Sequence, residues 1–120
     1  MEKYTIYCTE EQTKKALELG APIISYHNAF TTNDIPHYTI EEGNGNCMLY
    51  IIPTAEQMIG WLEEHIDEID ACKKNDGTWF YIFYPNNTIV NHIKEGFSSR
   101  KEATLAAIDA ALDYLKKKTE

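Results

Sequence analysis

Apolar and polar residues follow two different rhythms along this chain, alternating in some stretches and recurring every three or four residues in others. Tyr4, Ile6 and Cys8 share one side of an alternating run, which predicts a short strand. Thr9-Glu10-Glu11-Gln12 then has capping-box spacing, in which the Thr hydroxyl and the Gln amide each take up a free backbone N–H. The helix it opens has an apolar side at Ala16 and Leu17. Gly20 suits a left-handed C-terminal position, and Pro22 prevents continuation.

Ile23 to Tyr26 reads as a candidate strand, and Thr31 to Pro36 as loop. His37–Glu42 and Cys47–Ile52 flank Gly43-Asn44-Gly45-Asn46. Gly and Asn adopt positive φ at low cost, so this is a hairpin. A second capping box, Thr54-Ala55-Glu56-Gln57, opens a helix predicted to reach Cys72. Met58, Ile59, Leu62, Ile66 and Ile69 fall within an arc of about 100°, with Trp61 at its margin and Glu63, Glu64, Asp67, Glu68 and Asp70 opposite. Lys73 to Gly77 is a turn.

Trp79 to Tyr84 is an unbroken aromatic and aliphatic run, and Thr88 to Ile93 is its expected partner strand. Ser99-Arg100-Lys101-Glu102 is a third capping box, preceded by Phe97 as a staple against Ala103. The last helix extends to about Lys118. Leu105, Ile108, Leu112 and Leu115 recur at helical spacing among alanines small enough to let a sheet approach. The predicted class is α+β, with three helices and a mixed or mainly antiparallel sheet in the order β-α-(β)-β-β-α-β-β-α, forming a single domain over residues 1–120. Hairpins between helices argue against a doubly wound parallel sheet.

Charge changes this picture most. Eleven basic and nineteen acidic residues leave a net charge of −8. Residues 1–53 carry +3 and −7, residues 54–75 carry +2 and −6, and residues 76–120 carry +6 and −6. Such a balance disfavours nucleic acid and anionic membranes as partners. No apolar run approaches the roughly 18 residues a membrane helix needs. MEKYTIYCTEEQ has no apolar signal core, so a cytoplasmic location is expected. Cys8, Cys47 and Cys72 are odd in number and widely spaced, which fits reduced thiols and no disulfide or zinc site.

Three phrases stand out together: EEQTKKALELGAPI (10–23), PTAEQMIGWLEEH (53–65), and a Trp-led hairpin followed by SRKEATLAAIDAALDYL (99–115). They resemble small proteins of unknown function carried by phages and mobile elements of gut Bacteroidetes. The phrases cover a little over a third of the chain. The resemblance implies an origin, and it brings no chemistry and no catalytic residue.

Several groups carry candidate chemistry. Cys8 precedes a helix start, where thiol pKa falls, and His27 or His37 would serve as its base; its place on an apolar strand side argues instead for core packing. His27, Asp34 and His37 lack a recognised metal-ligand spacing. His65 and His92 read as packing or surface residues. Gly43-x-Gly45 leads into a strand and lacks the Lys-Ser/Thr of a phosphate loop. The acidic set Glu63, Glu64 and Asp67 would dock a basic partner or remain a solvated face.

The aromatic strand has two large apolar faces, Trp79, Tyr81 and Phe83 on one and Phe80, Ile82 and Tyr84 on the other. One face needs a cover beyond the helices. Trp79, Tyr81 and Phe83 are chosen as the outward set, rimmed by Thr88 and Asn91, for a protein partner or self-association. The expectation is a non-catalytic interaction or accessory module without metal or cofactor. One alternative is nucleic-acid binding through the C-terminal hairpin and helix, with Lys94, Arg100 and Lys101 as its basic patch. The other is a small enzyme using Cys8 with a nearby histidine.

Overall fold

A computed structural model describes residues 5–27, 35–85 and 92–119. The elements are α1 (Glu10–Glu18), β1 (Ser25–His27), β2 (His37–Gly43), β3 (Asn46–Ile51), α2 (Ala55–Leu62), β4 (Glu68–Lys73), β5 (Trp79–Tyr84), β6 (His92–Phe97) and α3 (Arg100–Thr119). The class is α+β, as the patterning predicts. The strands form two separate antiparallel sheets of three, ordered β1-β3-β2 and β4-β5-β6.

The local signals act where they stand. Thr9 and Gln12 make both bonds of the first capping box, at 3.1 and 3.0 Å, and Thr54 and Gln57 repeat them at the second. At the third, Ser99 Oγ accepts from the Glu102 N–H, but the Glu102 carboxylate reaches the Ser98 N–H. Asn44 and Gly45 turn the β2–β3 hairpin, both with positive φ. Tyr4, where the expected first strand begins, lies outside the described residues; within 5–8 that strand is reduced to one bridge between Tyr7 and Thr54. The partner strand expected at 88–93 falls mostly outside the described residues, and β6 begins at His92.

The predicted second helix is corrected. It ends at Leu62, and Glu68–Lys73 is a strand. Ile66 and Ile69, three apart, satisfy a helical stripe, but Ile69 and Ala71 also alternate with Glu68, Asp70 and Cys72. Two forces favour the strand. Glu63 and Glu64 put negative charge at a helix C-terminus that has no basic residue in its last turn. The apolar β5 also gains a hydrogen-bonded partner on its second edge. Met58, Leu62, Ile66 and Ile69 are all buried nonetheless.

The core lies between the second sheet and the helices. Ala103, Ala107, Ile108, Ala111 and Leu112 of α3 are fully buried, and this alanine-rich stripe lets the helix lie close over Tyr81 and Phe83. Phe83 stacks on His92 at 4.5 Å, and Tyr114 meets both rings edge-on. No strand residue of the first sheet joins this central cluster. The molecule is accordingly elongated, 52 × 36 × 19 Å, with a radius of gyration of 15.9 Å where a compact chain of this length has about 14 Å.

Candidate interaction surfaces

The second sheet is covered on one side only among the described residues. Its register places Ile69, Ala71, Trp79, Tyr81, Phe83, Lys94 and Phe97 on the α3 side. Tyr81 is 8% exposed and Phe83 0%, while Trp79 is half-buried. The choice of Trp79, Tyr81 and Phe83 as the outward set is therefore corrected: α3 packs on that face because Tyr81 and Phe83 stand across from Ile69, Ala71 and the alanine stripe. The opposite face carries Phe80, Ile82 and Tyr84, all half-buried, with Ile93 51% exposed and directly across from Ile82. The rim residues expected at Thr88 and Asn91 lie outside the described residues.

Acidic groups border this open face. Glu68 and Asp70 project from β4 on the same side as Phe80 and Ile82, and Glu95 from β6. A hydrogen bond with the Asp70 carboxyl, and next the repulsion between the two charges, push the Glu68 carboxyl above its ordinary value. Lys74 pairs with Glu95 at 2.6 Å.

The other acidic set behaves differently from expectation. Glu63, Glu64 and Asp67 are exposed, but they sit on the turn between α2 and β4 and not along a helix face. Glu63 also has a structural task, since its carboxylate accepts the Ile69 N–H at 3.1 Å. Lys74 N–H bonds to Thr78 O, so the even-numbered residues of β4 face β5 and the Ile69 N–H points to the outer edge. Glu63 therefore caps an edge strand. No short-range motif announces this contact.

Cys8 is buried, and its thiol donates to Thr54 O at 3.8 Å. Burial first, and the nearby Asp109 charge second, push the thiol up to about 12. A thiolate nucleophile is the opposite condition. One groove, of about 610 Å³, is lined by Thr5 to Tyr7, the start of α2, Ile69 to Ala71, Arg100 and Thr104; neither Cys8 nor a histidine is among these. His27 and His37 lie on β1 and β2, and Asp34 falls outside the described residues. Among the described residues no three metal-ligating side chains converge. His65 packs edge-on against Trp61 at 4.9 Å.

The basic residues do not frame the exposed aromatics. Lys94 stands across from buried Tyr81, on the face opposite Phe80 and Ile82. Arg100 and Lys101 begin α3. A second groove of about 200 Å³ is apolar, with Ile23, Ile24, Ile51, Met58 and Trp61 among its walls. No described helix is long and apolar enough to cross a membrane.

Compared with protein-family models, curated proteins and solved structures, the chain matches none.

Proposed function

We propose that this protein is a non-catalytic protein-interaction module that docks a partner on the open face of its second sheet. The observation that carries the reading is the one-sided cover. The α3 helix buries Tyr81 and Phe83, while Phe80, Ile82, Tyr84 and Ile93 form an accessible apolar surface on the other side. Contiguous aromatic and aliphatic surface of this kind is the usual centre of a protein interface. Glu68 and Asp70 at its border select a partner with an apolar centre and a basic flank, while Glu95 is already paired with Lys74. A cation docked beside Glu68 and Asp70 relieves their mutual repulsion. The reading keeps the cytoplasmic setting expected from the sequence and the phage or mobile-element origin implied by the resemblance.

Affinity capture from the native host tests the reading, with tagged wild-type protein, Ile82→Asp and the surface control Lys101→Glu compared side by side. The expected result is one basic protein captured near stoichiometrically by wild type and by Lys101→Glu, and lost with a folded Ile82→Asp. Equal capture by Ile82→Asp, or no stoichiometric partner, contradicts it.

A further inference from the structure

The first sheet presents a different surface, independent of the one above. Of its two edge strands, β1 has three residues and β2 has seven. No described strand pairs with the outer edge of β2. The register shows which backbone groups point there. Ile52 N–H donates to Pro36 O at 2.9 Å, and Tyr38 and Ile40 follow Pro36 in the same phase opposite Tyr50 and Met48. These residues bond inward to β3. The N–H and C=O groups of Thr39 and Glu41 therefore point away from the sheet, in the antiparallel pattern of alternating bonded pairs.

We propose that a second copy of this chain pairs with that edge, antiparallel about Thr39, joining two three-stranded sheets into one of six strands. The segment His37-Tyr38-Thr39-Ile40-Glu41 is self-complementary in this register. Thr39 meets Thr39, each His37 meets a Glu41, and each Tyr38 meets an Ile40. The last is an aromatic and β-branched pair of the kind that stabilises neighbouring strands. The adjacent two-fold registers do worse. Pairing about Ile40 sets Glu42 against Tyr38 and runs into the irregularity between Glu41 and Gly43. Pairing about Tyr38 sets Glu41 against Ile35.

Three further observations favour a second copy as occupant. Natural edge strands are blunted by lysine, proline, short length or a bulge. From His37 to Ile40 there is no lysine, no proline and no acidic residue; Glu41, Glu42 and the irregularity lie at the far end. Ile40 is 41% exposed and Ile35, just before the strand, 50%. The chain is strongly acidic, and the Thr39 register sets each Glu41 opposite a histidine of the other copy, so no two acidic side chains face each other across the seam.

Sedimentation velocity over a wide concentration range tests the proposal. Wild type is expected to show a concentration-dependent dimer. Thr39→Pro removes an N–H that β3 does not use, so it is expected to weaken the dimer at least tenfold with an unchanged far-UV spectrum. His37→Glu, which sets Glu against Glu41 at both ends of the seam, is expected to weaken it similarly and serves if the proline variant fails to fold. Adding Glu41→Arg to His37→Glu sets opposite charges across the seam and is expected to recover the dimer. Ile82→Asp, on the other sheet, leaves the dimer constant unchanged. A wild type that stays monomeric at millimolar concentration overturns the proposal. So does a dimer indifferent to both Thr39→Pro and His37→Glu, or one dissociated by Ile82→Asp.

Discussion

Gln12 and Asp109, 97 positions apart, meet where α1 crosses α3: Gln12 Nε2 donates to Asp109 Oδ1 at 2.9 Å and to Leu105 O at 2.8 Å. The same amide's oxygen accepts the Thr9 N–H. One buried side chain therefore caps one helix and ties it to another. Lys15 and Asp113 repeat the link one turn on, in an exposed pair.

Loss of Gln12 should therefore cost more than an ordinary cap. Gln12→Ala removes the reciprocal cap bond and leaves buried groups without partners, for an expected loss of about 2–3 kcal/mol in urea melts. In a double-mutant cycle with Asp109→Ala, the coupling should be about 1 kcal/mol. Additivity of the two substitutions would show that the amide does not bridge the helices.

The short α2 changes what its acidic neighbours are worth. Glu63→Ala should cost about 1 kcal/mol, because it strips the acceptor from the Ile69 N–H at the edge of β4. Glu64→Ala should stay within about 0.5 kcal/mol. Leu62→Ala, in the core below, should cost roughly 2–5 kcal/mol. Equal values for Glu63 and Glu64 in chemical denaturation would remove the capping role.

Cys8 should behave as a core residue whose ionisation works against folding. Its pKa is about 12 in the folded chain, against an ordinary value of 9.0. Its contribution to stability is therefore full below pH 9.0 and is lost as pH climbs through 12, because the unfolded thiol ionises first. Tyr38 and Tyr81, pushed up mainly by burial, act in the same direction at alkaline pH. Cys8→Ala should flatten the alkaline decline in stability. Native Cys8 should resist alkylation at pH 8, and rapid labelling there, read by mass spectrometry, would contradict its burial.

The legible parts of this fold were those carried by contacts within a few residues. Thr9 with Gln12, Thr54 with Gln57, and Asn44-Gly45 announce two helix starts and a turn because each motif closes on itself. The end of α2 was not legible. Ile69 fits both periods, three from Ile66 along a helix and two from Ala71 along a strand, and what decides between them is the demand of Phe80, Ile82 and Tyr84 for a pairing strand more than six residues away. The same limit applied to the surface. Alternation separates Tyr81 and Phe83 from Phe80 and Ile82, but the choice of covered face depends on where the alanines of α3 come to rest. The Gln12–Asp109 bond left no local trace.

The account rests on a second sheet packed on one side and open on the other, and the most direct test compares two neighbours on β5. Urea denaturation of Phe83→Ala and Ile82→Thr reads the two faces separately. Phe83, fully buried under α3, should lose about 3–5 kcal/mol, whereas Ile82→Thr, on the open face, should lose less than about 1 kcal/mol. Similar large losses for both, or a larger loss at Ile82, would mean that the supposed docking face is core.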